Sequence, residues 1–324
     1  MIRIGITLGD PAGIGPEIVA KALACDRLRE AATMVAMGPA AVLAKYFPSG
    51  LPSGAETVDA GEIDLARLRP GVIQRECGAA ALAAVRAGVA FCRRGELDAL
   101  VTGPLHKQAA KLAGMREPGH TELIAALCGV PEEEVRMLLA GERLRVIHVS
   151  THLALREALG KVTAPRVLRT IELGAAAVAS LGFPRPRIAV AGLNPHAGEQ
   201  GLFGDEDTRE IAPAVQQARA QGFDVSGPLA PDTVFLRALQ GEFDLVAAMY
   251  HDQGHIPMKV AEFDNAVNVT VGLPIVRTSV DHGTAFDIAG RGVARADNMV
   301  RAIEMAIALL RPRNGREEKR NIPE

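Results

Sequence analysis

Short apolar runs recur along the chain at residues 2–8 (IRIGITL), 32–38, 98–103, 145–150, 187–193, 244–250 and 266–271, each brief enough to read as a buried strand. Between many of them the apolar positions switch to helical spacing, as in PEIVAKALA, GAAALAAVRAGVAFCRRG, APRVLRTIELGAAAVASLG and TREIAPAVQQARAQG. Strands alternating with helices predict an α/β fold with a mostly parallel or mixed sheet, and ligands then belong at the loops leaving the strand ends. No repeat, low-complexity tract or long linker divides the chain. The expectation is therefore a two-domain body with interleaved crossings, one domain formed by 1–135 plus 280–324 and the other by 136–279. An apolar helix at 299–310 precedes a charged tail, RPRNGREEKRNIPE.

At 324 residues and 48% hydrophobic content the chain can bury a large core, and with no Trp and two Tyr that core is aliphatic. The formal charge is −2, with no basic block, so no footprint for nucleic acid is present. No leader pattern and no apolar window of about 18 residues occurs, which predicts a cytoplasmic protein without a membrane partner. Cys25, Cys77, Cys92 and Cys128 lie far apart without a C-x-x-C pair and read as isolated thiols in or near a core.

The chemistry concentrates on eight histidines. His152, His196 and His251 each follow a β-run within a few residues, and neutral imidazoles converging from separate strand-exit loops would make a three-ligand metal site with open positions. Nitrogen ligands favour zinc, with cobalt, manganese or magnesium also accommodated. Downstream of His251, Lys259, Asn268 and Arg277 are suited to a phosphate or carboxylate. His255, in the same segment, has no assigned role. Two loops, GDPAGIGPEIVAKAL at 9–23 and DHGTAFDIAGRG at 281–292, could embrace a nucleotide, although the first lacks the full G-x-G-x-x-G of a Rossmann turn.

Together GDPAGIGPEI, TGPLHK, PGHTE, HVSTHLALRE, NPHAGE, PDTVF, YHDQGHIPMK and RTSVDHGTAFDIAGRG resemble, in order and over residues 2 to about 310, the 4-hydroxythreonine-4-phosphate dehydrogenase family of vitamin B6 (pyridoxine) biosynthesis. Two of these segments also resemble the GDGIGPE and HGSAPDIAG stretches of isocitrate and isopropylmalate dehydrogenases, which implies their two-domain fold and NAD binding without a Rossmann fingerprint. The resemblance implies that His152, His196 and His251 ligate one divalent metal per subunit, in a site shared across a homodimer with one histidine from the partner chain. It further matches His120, Thr121, Lys259, Asn268 and Arg277 to substrate-binding positions, and His282, Gly283, Thr284 and Asp287 to the NAD (or NADP) region. HVSTHLALRE, GEQGLFGDEDTRE and HDQGHIPMK are similar to a branch that includes D-threonate and D-erythronate 4-phosphate dehydrogenases, with relatives that oxidise aromatic cis-dihydrodiols further off.

The implied reaction is metal-assisted oxidation of a 4-phosphorylated 3-hydroxy acid, 4-phosphohydroxy-L-threonine first and D-threonate or D-erythronate 4-phosphate as alternatives, with loss of carbon dioxide from the 3-keto acid. Asp232, Asp252 and His120 are the candidate general bases. The rival readings are a non-catalytic sensor of a phosphorylated metabolite, needing neither metal nor NAD, and a metal hydrolase, needing no NAD.

Overall fold

The apolar runs do become strands, and β-sheet pairing explains how distant segments of the chain meet. A computed structural model describes residues 1–263 and 265–311. They divide into two compact units, the first from Met1–Glu142 and Met258–Ile307, the second from Arg143–Pro257 and the residues from Ala308 on. The sequence expectation divided the chain at 135/136 and 279/280 instead. Residues 267–279 fall in the first unit because they are hydrogen-bonded into its sheet.

In that sheet, β1 (Arg3–Thr7) lies between β2 (Thr33–Gly38) and β4 (Ala99–Thr102), and β3 (Ala55–Asp59) flanks β2, all in parallel. After β5 (Arg136–Ala140) the chain leaves for the second unit, forming β6 (Arg145–His148), β7 (Ile188–Ala191), β8 (Val225–Leu229) and β9 (Leu245–Ala248). It returns through β10 (Val267–Val271) and β11 (Val276–Ser279), where β11 runs parallel to β4, and β10 is antiparallel to both β11 and β5. In the second unit β6 pairs with β9, β9 with β7 and β7 with β8, all parallel. Parallel strands covered by helices read as continuous apolar runs, as LVAA of β9 and IAVA of β7 do, with every residue buried.

The first unit's core is aliphatic, as composition requires. Leu82, Val85 and Val89 of the helix Arg75–Arg93 pack with Val35, Met37, Leu100, Leu123 and Ile124. Gly88 is needed there, since a Cβ would stand 2.5 Å from Leu100 Cδ1. Cys77, Cys92 and Cys128 are buried free thiols and Cys25 is half-buried. Among the described residues no helix is long and apolar enough to cross a membrane.

Segment 251–262, read from sequence as loop, is a helix, His251–Glu262, and the division between the units falls within it. Helical geometry puts His251 and His255 on one face, one turn apart.

Candidate active site

The first unit holds a cluster built by strand register. Thr270 of β10 stands opposite Arg277 of β11, and Asn268 opposite Ser279. Alternation puts these four side chains on one face, and Ser279 in turn pairs with Thr102 of β4. The Arg277 guanidinium, 1% exposed, donates to Thr270 Oγ1 at 2.8 Å and Thr102 Oγ1 at 2.6 Å. Its Nε is enclosed without a partner, as are Asn268 Oδ1 and His120 Nε2. Burial pulls the Arg277 pKa down to about 10, with Glu122 opposing the shift. His120 begins the helix His120–Cys128, and burial, aided by the charges of Arg277 and Lys107, pushes its pKa down to about 3. At neutral pH that imidazole is uncharged. Thr121, beside it, is half-buried.

A guanidinium held by hydroxyls costs desolvation that neutral acceptors offset only in part. The same arrangement suits an incoming phosphate or carboxylate.

Lys259 lies elsewhere in the first unit. Its Nζ donates to Asp281 Oδ2 at 2.5 Å and sits 4.9 Å from the Phe263 ring centre. With His282, Arg295, Asp297 and Asn298 these residues line a cavity of about 130 Å³. Lys259, expected with the substrate residues, thus shares its surroundings with His282, expected with the cofactor.

The two glycine-bearing loops pack against each other. Ile14 N donates to Thr284 O at 3.0 Å, and a Cβ at Gly13 would stand 2.9 Å from Thr284 Cβ, so that glycine serves close backbone approach. Thr284 is buried, whereas His282, Gly283 and Asp287 are exposed. Phe286 stacks on His106 of TGPLHK, with centroids 4.6 Å apart. Asp10, not singled out by sequence reasoning, is fully buried; its Oδ1 accepts from Ala12 N, its Oδ2 has no partner, and burial raises its pKa to about 6.

The second unit carries the three histidines expected to hold a metal. His152 and His251 line one pocket of about 290 Å³ with Thr151, Tyr250 and Asp252, their ring centroids 5.6 Å apart. His251 Nδ1 lies 2.7 Å from Asp252 Oδ1; a carboxylate accepts, so the proton sits on Nδ1 and Nε2 keeps its lone pair. His152 has a φ of 21° and His196 of 53°, the latter opening a left-handed run through Gln200. Buried Asp207 anchors the approach to that run by accepting from Leu193 N and Asn194 N at 2.8 and 3.0 Å. His196 itself is 62% exposed, with Glu199 at 3.4 Å and the Phe203 ring as recorded neighbours. Among the described residues no three His, Cys, Asp or Glu side chains of one chain are arranged to hold a metal ion. Asp232 is exposed, just ahead of the helix Val234–Leu239.

Two histidines were given no role by the sequence reading. His148, the buried end of β6, and His255 join His251 in one group, His255 stacking on His251 with centroids 3.6 Å apart. The signal available was the i, i+4 spacing of HDQGH, which only a helix makes meaningful.

Residues 18–306 match the family model described as pyridoxal phosphate biosynthetic protein PdxA. The chain belongs to that family. It is 45% identical to a D-threonate 4-phosphate dehydrogenase of Salmonella typhimurium, over 94% of this chain and 98% of the relative. A solved 4-hydroxythreonine-4-phosphate dehydrogenase of Klebsiella pneumoniae superposes with a TM-score of 0.84 at 42% identity, covering 96% of this chain and all of that one. A β-decarboxylating dehydrogenase of Thermococcus kodakarensis, 17% identical with a TM-score of 0.53 over 94% of this chain and 82% of its own, shares the fold alone. PdxA-family dehydrogenases are oxidoreductases acting on a CH–OH group, and the two-domain fold expected from sequence is theirs.

Proposed function

We propose that this PdxA-family chain uses NAD, or NADP, and one divalent metal per subunit to oxidise a four-carbon, 4-phosphorylated 3-hydroxy acid, with decarboxylation of the 3-keto product. The observation that carries the reading is Arg277, a buried guanidinium whose recorded partners are two threonine hydroxyls and whose Nε is enclosed beside the uncharged His120. Such a group gains most from an anion that enters the site with its own charge. D-threonate 4-phosphate and 4-phosphohydroxy-L-threonine, the substrates in the names of the two similar dehydrogenases, both carry a phosphate and a carboxylate. D-erythronate 4-phosphate belongs to the same class.

In this reading Arg277 binds the anion, Thr102 and Thr270 fix the plane of its guanidinium, and Asn268, Thr121 and the neutral His120 contribute uncharged hydrogen bonds. Lys259, held by Asp281, supplies a second cation.

The histidines fit a divalent cation by donor chemistry. His251 has its Nδ1 proton engaged by Asp252, which is the tautomer that can ligate through Nε2, and His152 faces the same pocket. His196 completes the set, with one of the three coming from the partner subunit of a homodimer. Val260 in the helix His251–Glu262 and Phe263 just past its end, 84 and 68% exposed, support an apolar subunit contact. When bound, the metal supplies a Lewis acid, zinc by preference, with cobalt, manganese or magnesium as alternatives, that makes the alcohol easier to deprotonate and the departing carbon dioxide easier to release. NAD supplies the hydride acceptor. Exposed His282, Gly283 and Asp287 fit it as a ring face, an approachable backbone and a carboxylate for ribose hydroxyls. Asp252 is engaged with His251, and Asp232 and His120 stand as the other candidate general bases. A cytoplasmic setting, where NAD is held, follows.

The test is direct: purified protein with NAD, a divalent metal and each of the three phosphorylated acids. NADH formation that requires both metal and phosphate supports the proposal. Binding without turnover would favour a metabolite sensor, and turnover without NAD a hydrolase.

A further inference from the structure

His148 and His255 lie outside every role assigned so far, yet they are built into the second unit with care. His148 is fully buried at the end of β6. The helix His251–Glu262 presses close to it at Gly254, where a Cβ would stand 2.4 Å from His148 Nε2 and 2.7 Å from Val146 Cγ1. No other residue type fits there without displacing the ring. Beside that glycine, His255 Nδ1 lies 3.2 Å from His148 Nε2 and 3.1 Å from the backbone oxygen of His251.

Proton accounting for neutral rings selects one arrangement. The His251 carbonyl can only accept, so the proton facing it sits on His255 Nδ1. His148 Nε2 is then the second acceptor of the same N–H. The opposite choice, His148 donating, would set two lone pairs against each other at 3.1 Å.

The face of His255 lies on His251, centroids 3.6 Å apart and planes 11° from parallel. The ring of His251 is thereby held on one face by His255 and on its Nδ1 edge by Asp252. Both contacts leave Nε2 as the atom that can reach a cation. His255 itself cannot turn without losing the hydrogen bonds to β6 and to its own helix.

We infer that His255, anchored by His148 beneath Gly254, is a positioning residue that fixes the ring plane of His251 for a divalent cation. The inference rests on the reading of His251 as a metal ligand. It predicts that the site gains affinity from a partner that never touches the metal.

The experiment titrates Co²⁺ into metal-free full-length protein, unchanged and as H255A and H255N, following the cobalt visible spectrum, and records histidine ring ¹⁵N shifts of the same samples without metal. Asparagine places its amide N–H where Nδ1 stands and so restores the hydrogen bond without the stack. The expected result is Co²⁺ binding weakened about 10- to 100-fold in H255A, partial recovery in H255N, and little change in melting temperature. H255A binding Co²⁺ as tightly as the unchanged protein, or H255N no tighter than H255A, overturns the inference. If the unchanged protein binds no Co²⁺, it is the metal reading that fails, and the ¹⁵N shifts decide the positioning alone. A single His251 tautomer that begins to average in H255A upholds it, and averaging already present in the unchanged protein overturns it.

Discussion

The cluster around Arg277 and the histidine group around His251 are built by opposite means. Arg277, Thr270, Asn268 and Thr102 are placed by register across three strands, and the cation is buried with hydroxyl partners. His251 and His255 are placed by one helical turn, both only partly buried, and His251 lines a pocket. A sheet can hold a charge whose neutralisation arrives with the ligand, because its backbone is already fully bonded. A helix start presents ring nitrogens to a pocket, and among the described residues they do not gather into a three-ligand metal site. The first cluster is assembled within one chain, and for the second we propose a further ligand from a partner subunit.

The largest expected effect separates the two regions. Replacing His251 by Ala should remove several kcal/mol of transition-state stabilisation, roughly 10³-fold in kcat, while the melting temperature stays within a few degrees, since the ring is partly exposed. Steady-state rates with and without added metal measure it. An H251A protein that still needs metal and turns over normally would separate the histidines from catalysis.

The next effect probes buried charge in the first unit through pH. The Asp10 pKa is raised from the ordinary 3.8 to about 6, so the folded state binds the proton more tightly than the unfolded chain. Its stabilising contribution is present below pH 4 and lost as pH rises through 6. Asp10→Asn should therefore stabilise the protein at pH 8 by up to about 3 kcal/mol and make no difference below pH 4. His120 has the opposite sign: its pKa falls to about 3, so protonating it favours the unfolded chain, and stability drops as pH falls below 6.5. Urea unfolding from pH 4 to 8 should show D10N with the steeper loss on acidification, because the opposing slope of Asp10 is gone. Parallel curves would contradict the Asp10 assignment.

Much of this was legible in the chain and some was not, for physical reasons. The parallel central strands announce themselves because they are buried on both faces. β3 does not, since AETVD at the sheet edge is largely exposed and has no apolar run. β5, RMLLA, was not among the runs read although all five of its residues are buried, and β8 is interrupted by Gly227 and Pro228. The three expected metal histidines were chosen because they follow strands, and two of them line one pocket. His148 was passed over because a histidine inside a strand reads as core, and His255 because HDQGH reads as a loop until the helix is known. Thr102 and Thr270 could not be seen at all, because only register makes a threonine the partner of an arginine. Asp10 likewise became visible only through its burial.

The smallest effect tests that register. Thr102→Val leaves one Arg277 N–H enclosed without its hydroxyl and should cost about 1 to 3 kcal/mol of stability by thermal unfolding. Bound phosphorylated substrate should recover part of that cost, by replacing the lost acceptor. An unchanged melting temperature would mean that the hydroxyl contributes nothing to holding the guanidinium.

The most direct test of the central claim, that Arg277 receives the substrate's anionic group, compares kcat/KM for a 4-phosphorylated acid and its dephosphorylated analogue in unchanged protein and in R277M. The account predicts that the preference for the phosphorylated acid shrinks by about 2 to 4 kcal/mol, some 30- to 1000-fold, with the melting temperature unchanged or higher. Equal losses on both substrates would contradict it.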